Sequence, residues 1–264
     1  MLRNIIVLIK IVPKPEEVVF NPETKTVDRS KARNEINEAD KNALELALKL
    51  KEKYGGKVIT LSMGPPIWDK YIRLGVAMGA DDAILVSDRA LVGSDTLPTS
   101  LTLATAIKRI GDYDIILCGE ESSDGGTGQV PPGIGGWLDI PHITYVSDIA
   151  DISEDGWATV KRTIKGGHEL IKVRIPFIAA VELGSNKPRF PDFRRKRWAE
   201  REFQLKIWSL QDLGLEPDRV GFQGSKTTVT KLEEVKPSER KREVLTGEPE
   251  ELAKKLYHIL KEYL

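Results

Sequence analysis

Near its start the chain carries Ile5-Ile6-Val7-Leu8-Ile9, an unbroken apolar run rich in β-branched residues. Such a run predicts a central strand of a parallel sheet, buried on both faces. From Glu38 to Tyr54 the period changes. Ala39, Ala43, Leu46, Ala47, Leu50 and Tyr54 fall on one face at helical spacing, with Lys and Glu on the other. Asn37 stands where an N-cap belongs, and Gly55-Gly56 ends the helix. The alternation then repeats. A strand over 57–62 runs into the turn Met63-Gly64-Pro65-Pro66, a helix over 67–78 stops at Gly79, and a strand covers 82–86. A helix from near Thr96 to Ile110 leads to a strand over 114–118. Strand and helix alternating across short links predict an α/β fold, a doubly wound, Rossmann-like parallel sheet of about five strands.

Beyond Trp137 the pattern loosens. Residues 142–149 predict one more strand at an edge, and 176–183 a further apolar strand. Residues 157–164 and 169–174 alternate with period two around Gly166-Gly167, which predicts a β-hairpin. A smaller hairpin or ordered excursion is expected over Phe20–Val27. Arg189 to Arg201 is densely basic with Phe190, Phe193 and Trp198 embedded. A charge run is usually a solvated face, but aromatic residues inside an arginine-rich loop suit a protein docking site. After Gly221 come a polar stretch and a last helix opened by Pro249, with Leu252, Leu256, Ile259 and Tyr263 as a narrow apolar stripe. We expect one domain over 1–220, carrying the hairpin (about 157–174) and the basic loop (about 184–203). Residues 221–264 form a C-terminal arm too weakly apolar to make its own core, so it is expected to wrap a partner.

Ligands of such sheets bind beyond the carboxyl ends of the strands. Four loops fall there: Lys10-Ile11-Val12, Met63-Gly64-Pro65, Gly93 to Thr99, and Gly119 to Val130. The last, with Asp124-Gly125-Gly126-Thr127-Gly128-Gln129-Val130, reads as a phosphate cradle. Its glycines admit close backbone approach, its hydroxyls donate, and a helix starting near Gln129 offers its positive end. Taken alone it reads equally well as an ordinary glycine-rich connection; the convergence of four polar loops favours a ligand. Asp95, Thr96 and Thr99 supply a second polar cluster, for which helix capping is the competing reading. Asn37 is foremost a cap that could also meet the ligand, and Cys118 reads as a small buried apolar residue. The three histidines lack metal-ligand spacing, and no His lies near a Ser or Cys partner, so no metal and no catalytic residue are expected. There is no Walker lysine pattern and no G-x-G-x-x-G after the first strand.

The balance of charge narrows the partners. Lys+Arg number 40 against Asp+Glu 40 in 264 residues, which gives no reason to expect nucleic acid. One cysteine excludes an internal disulfide and fits a reducing compartment. No apolar run approaches the roughly twenty residues that span a bilayer, and the N-terminus lacks a signal-peptide pattern. A cytoplasmic protein without direct membrane insertion is expected.

Several stretches together resemble the beta subunit of electron-transfer flavoproteins over nearly the whole chain. They are the opening strand with Lys10, Asn37 before the amphipathic helix, Leu61-Ser62-Met63-Gly64-Pro65, Ala77-Met78-Gly79-Ala80-Asp81, and the glycine-rich loop. Residues 160–169 followed by Pro176 look like the family signature, departing at Lys165, where the family generally has an acidic residue. The resemblance implies an adenine-nucleotide-binding α/β fold and a heterodimer with an alpha subunit that carries an electron-transferring FAD. It implies a second nucleotide in this chain, either AMP or, in members that bifurcate electrons from NADH, FAD. The Asp124–Val130 pattern and Asp95-Thr96-x-x-Thr99-Ser100 resemble the bifurcating group and favour FAD, with NAD(H) as donor; Pro131-Pro132 depart from it. The implied cofactor contacts are Asn37, Met63, Gly64, Asp95, Thr96, Thr99, Asp124, Gly125, Gly126, Thr127, Gly128, Gln129 and Val130. Phe193, Arg194 and Arg195 would dock a dehydrogenase or quinone-reductase-type partner. A low-potential carrier such as ferredoxin would take the second electron. Two alternatives stay open: a non-bifurcating subunit with structural AMP, and an ATP-binding regulatory protein on a similar sheet.

Overall fold

A computed structural model of the chain describes residues 2–14, 19–21, 26–28, 33–228 and 244–262. In chain order the elements begin with β1 (Asn4–Leu8), β2 (Ile11–Pro13), β3 (Val19–Asn21), β4 (Thr26–Asp28), β5 (Asn34–Ile36) and α1 (Glu38–Tyr54). β6 (Lys57–Met63), a 3₁₀ turn (Pro66–Trp68), α2 (Asp69–Met78), β7 (Asp82–Val86), α3 (Thr96–Ile110), β8 (Ile115–Gly119) and α4 (Val130–Leu138) follow. Then come β9 (His142–Ile152), β10 (Trp157–Ile164), β11 (Gly167–Arg174), β12 (Phe177–Val181), α5 (Phe193–Arg201) and β13 (Lys206–Trp208). Two one-turn helices, α6 (Leu210–Leu213) and α7 (Gly221–Gly224), and the longer α8 (Pro249–Lys261) complete the chain.

Among the described residues the main sheet has nine strands, in the order β11-β10-β9-β12-β8-β1-β6-β7-β13. The seven from β9 to β13 are parallel, and the β10–β11 hairpin adds to β9 antiparallel. Alternate residues of the buried strands serve different cores. Ile5, Val7, Ile115 and Leu117 pack with Ala43, Leu44 and Ala47 of α1. Ile6, Leu8, Ile116 and Cys118 pack with Leu103, Ala104 and Ile107 of α3 and Ile134 of α4. Helices thus cover both faces, which is why these strands are apolar throughout.

The sheet is wider than the expected five strands. β12 inserts between β8 and β9, so β9 is interior and not an edge strand. β13 is only three residues long and pairs with β7, too short to leave a periodic signal. The β3–β4 hairpin pairs Phe20 with Val27, as expected.

The basic stretch is also more ordered than a loop. Asp192 caps α5 by accepting from the N–H groups of Arg194 and Arg195, at 3.0 and 2.9 Å. Arg195 donates from Nε to the Val76 carbonyl at 2.7 Å and from Nη2 to the Ala80 carbonyl, closing the end of α2. Arg189 grips the buried carboxylate of Glu45 in bidentate fashion, at 2.8 and 3.1 Å, and Glu52 at 2.6 Å. Both carboxylates hold its guanidinium further above its already high range. Residues 231–264 form a second compact unit, whose described part is α8 and its approach. No helix among the described residues is long and apolar enough to cross a membrane.

Glu45 is 4 % exposed, so removing its partner strands a charge in the interior. Arg189→Ala should therefore lower the unfolding free energy by about 3 kcal/mol in urea titrations. A loss below about 1 kcal/mol would show that solvent replaces the guanidinium.

Candidate functional site

A cavity of about 1040 Å³ opens at the carboxyl ends of β1, β6, β7 and β8. Its floor is set where the first turn of α1 meets two strand ends. Asp40 accepts the Lys10 N–H on one oxygen and the Gly119 N–H on the other, each at 2.8 Å. A Cβ on Gly119 would lie 2.6 Å from both the Ala39 Cβ and the Asp40 carboxylate. Only glycine lets the helix come this close. Burial pushes the Asp40 carboxyl up to about 6, against the pull of the N–H donors of Lys10 and Gly119, the Asn37 side chain and the Lys10 charge. Cys118 is buried beside it, its thiol pushed well up by burial and by the Asp40 charge.

Asn37 occupies the N-cap position of α1, but its side chain does not cap the helix. Its Nδ2 donates to the Glu121 carbonyl at 2.9 Å, and its Oδ1 accepts from the Ser123 N–H at 3.1 Å. The expected cap is instead a tie that fastens the glycine-rich loop to α1. Lys10 reaches the same loop from the end of β1, with Nζ 2.6 Å from Asp124 Oδ1 and 3.0 Å from Ser122 Oγ. The ammonium offsets a carboxylate that would otherwise repel a phosphate.

The opposite wall is the start of α3. Thr96 Oγ1 donates to Gln129 Oε1 at 3.0 Å, bridging the beginnings of α3 and α4. These helix starts carry fewer free donors than the sequence reading assumed. Pro131 and Pro132 hold the second and third positions of α4, and Pro98 the third of α3. None has an N–H, so α4 presents Val130 as the one donor of its first three residues.

Asp95 lines the cavity, yet its carboxylate is engaged by its own chain. One oxygen accepts the Leu97 N–H at 2.9 Å and caps α3. The other accepts the N–H groups of Lys226 and Thr227, at 2.8 Å each, and the Thr227 hydroxyl at 2.9 Å. Ser225 completes the clasp, its hydroxyl accepting the Asp95 N–H at 2.8 Å and lying 2.9 Å from the Gly93 carbonyl. Desolvation pushes the Asp95 carboxyl up, but the donors of Thr227, Leu97 and Lys226 hold it below its ordinary value.

The cavity wall includes every cofactor-contact residue expected from sequence except Gly126, which is exposed and not part of the wall. Met63, Gly64, Thr99, Gly125, Thr127 and Gly128 are all in it. Asp40 and Trp68 also line it and were not singled out from sequence. Asp40 could have been: it is a carboxylate sharing a helical face with Ala43 and Ala47, where burial needs a partner. Phe193 and Arg194 are exposed on α5, whereas Arg195 is half-buried in its bonds to the end of α2.

A doubly wound sheet with a cavity at its carboxyl edge defines a Rossmann-like α/β protein, and comparison with known proteins narrows this. The family model described as "electron transfer flavoprotein domain" matches residues 24–208. The electron transfer flavoprotein subunit beta of Thermoanaerobacterium thermosaccharolyticum is 40% identical, covering 96% of each chain. Protein FixA of Azotobacter vinelandii is 38% identical over 94% of this chain and 91% of its own. The caffeyl-CoA reductase-Etf complex subunit CarD of Acetobacterium woodii is 40% identical over 86% of each. The chain belongs to the electron transfer flavoprotein family, on its beta-subunit side.

Two outcomes follow from the carboxylates. Asp95→Ala should cost about 1–2 kcal/mol through the lost helix cap and speed hydrogen exchange at the amides of Lys226 and Thr227. Unchanged exchange there would mean that Asp95 does not hold the segment. Because its folded pKa is depressed, the clasp should hold above about pH 4 and be lost as pH falls through that folded value. Asp40 has the opposite sign. Its folded value of about 6 is raised, so its contribution is full below about pH 4 and is lost as pH rises through 6. Relative to Asp40→Asn, wild-type unfolding free energy should fall by about 2–3 kcal/mol from about pH 4 to about pH 7; a flat difference would contradict it.

Proposed function

We propose that this chain binds FAD in the cavity beyond β1, β6 and β8. In this reading it is the beta subunit of a heterodimeric, electron-bifurcating electron transfer flavoprotein. The observation that carries the reading is the size and lining of the cavity. Its roughly 1040 Å³ lies at the upper end of the ~300–1,000 Å³ of small-molecule sites, more than a mononucleotide requires. Its wall joins both polar clusters, Thr96 and Thr99 on one side and Asp124 to Val130 on the other. A bound flavin supplies the redox chemistry, accepting a hydride from NADH and releasing electrons one at a time.

The residues of the chain hold and orient. Lys10 offsets Asp124, the Thr96–Gln129 bridge fixes the spacing of the two walls, and Asn37 sets the height of the loop. Apolar strand ends at Leu8, Ile9 and Leu61 line the inner part and exclude water. The alpha subunit supplies the second flavin. The arm over 221–264 wraps it: α8 buries none of its residues, and Leu256, Ile259 and Leu260 are 49, 38 and 49 % exposed. A dehydrogenase or quinone-reductase-type partner docks on α5 and the segment before it, where Phe193 and Phe190 are 89 and 87 % exposed. Arg194 faces that partner and steers it, while Arg195 fixes the helix that displays them. A low-potential carrier such as ferredoxin takes the other electron.

Co-expression of the chain with its alpha subunit tests the reading by the flavins released per heterodimer. Two flavins, with NADH-dependent bleaching of both, are expected. One flavin together with AMP would overturn the FAD assignment and leave a non-bifurcating electron carrier.

A further inference from the structure

Among the described residues, Trp68 is the one aromatic residue lining the cavity, where the other lining side chains are aliphatic, polar or charged. It ends the 3₁₀ turn that leads from β6 into α2. We propose that Trp68 is the stacking platform for a planar heteroaromatic ring of the bound nucleotide. The proposal rests on the nucleotide reading above and adds a residue that fixes the ligand's orientation.

Three features support a platform over a mere filler. The turn that carries the ring is built before any ligand arrives. The Trp68 N–H donates to the Pro65 carbonyl at 3.0 Å, the Gly64 N–H donates to the Val86 carbonyl at 3.0 Å, and Pro65-Pro66 stiffen the turn between them. The ring also lies directly on the backbone of Gly64. A Cβ on Gly64 would fall 2.1 Å from both Cε3 and Cζ3 of the indole. Glycine is thus what allows the indole to sit where it does. Finally, Trp68 packs against the cores under α1 and α2, yet the residue remains partly exposed and part of the cavity wall. Its indole N–H makes no hydrogen bond among the described residues.

The position suits the ring end of a nucleotide. The phosphate-side groups, Gly125 to Val130 and Thr96, gather beyond β8 and α3. Trp68 follows β6, which is two strands from β8 in the sheet. Two strand spacings separate the sites by about 10 Å, the order of the span between the phosphate and ring ends of a nucleotide. A preorganised aromatic plane binds such a ring without paying to order a side chain, and base–aromatic stacking is sequence-tolerant because every base presents a π-face. Adenine and the isoalloxazine ring share this chemistry, and probes carrying only one of them separate the two.

The test uses the full chain and equilibrium dialysis against FAD, AMP and FMN. Trp68→Ala should weaken FAD binding by roughly 5- to 150-fold, the range that one stacked ring provides. Trp68→Phe should recover most of it. With FAD weakened, a loss of AMP but not of FMN binding assigns the platform to adenine, and a loss of FMN but not of AMP binding assigns it to the flavin ring; either supports the proposal. Gly64→Ala provides the second variant. Its added methyl should displace the indole and weaken binding in the wild-type background, but cost nothing further beside Trp68→Ala. Wild-type binding of FAD with unchanged affinity in Trp68→Ala would overturn the platform and leave the nucleotide reading standing. Wild-type failure to bind any of the three would overturn both. Thermal melts of each variant identify a loss caused by unfolding, and in that case Gly64→Ala alone decides.

Discussion

The arrangement of the site depends on how closely α1 meets the end of β8. Asp40 bonds the backbone of Lys10 at the end of β1 and of Gly119 at the end of β8. Two neighbouring strands are thereby fixed to one helix turn at the point where both leave the sheet. From there Lys10 is directed at Asp124, and Asn37, three residues before Asp40, reaches the loop backbone. A larger residue at Gly119 would separate the helix from the strand, because its Cβ would meet Ala39 at 2.6 Å. It would break all of these contacts together. The tie keeps a carboxylate buried at its own cost, since desolvation outweighs the donors around it. Such a group persists where it organises its surroundings more than it stabilises them.

The second tie lies across the cavity and works on the chain's own tail. Asp95 and Ser225 clasp residues 225–227 to the loop before α3, and the Gly221 N–H donates to Ser94 Oγ at 3.0 Å. Residues on this loop line the cavity wall. The root of the C-terminal segment and the cavity therefore share a single rigid rim. A displacement of that segment would move Thr96 and, through the Gln129 bridge, the start of α4.

The sheet and its major helices were legible because burial on both faces forces a continuous apolar signal, as in Ile5 to Ile9, and helical periodicity is strong over Glu38 to Tyr54. What escaped was short or set by distant partners. β13 has three residues and takes its strand character from β7 alone. β9 looked like an edge because nothing local reveals that β12 returns between it and β8. At the site, residue types singled out four loops, and residues of all four line one cavity. Their individual roles were less accessible. Asn37 reads as a cap from its position, and only the fold shows that Glu121 and Ser123, 84 and 86 residues away, claim its amide. Asp95 reads as a ligand contact, yet one of its oxygens caps its own helix and the other is taken by Lys226 and Thr227, more than 130 residues on.

The electrostatics of the cavity impose an order of events. Asp40, Asp95 and Asp124 all line it, an unfavourable set for a phosphate-bearing ligand if their charges were free. None is left to face a phosphate alone. Asp40 is bracketed by two backbone N–H groups, Asp95 by three and a hydroxyl, and Asp124 by the Lys10 ammonium. Each neutralising contact joins residues at least thirty positions apart, or in one case closes a helix start. The cavity therefore becomes hospitable to an anion only once β1, β8, α1 and the 225–227 segment are assembled. A ligand of this kind binds the finished fold and not its fragments, so its binding energy adds to the stability of the assembled state.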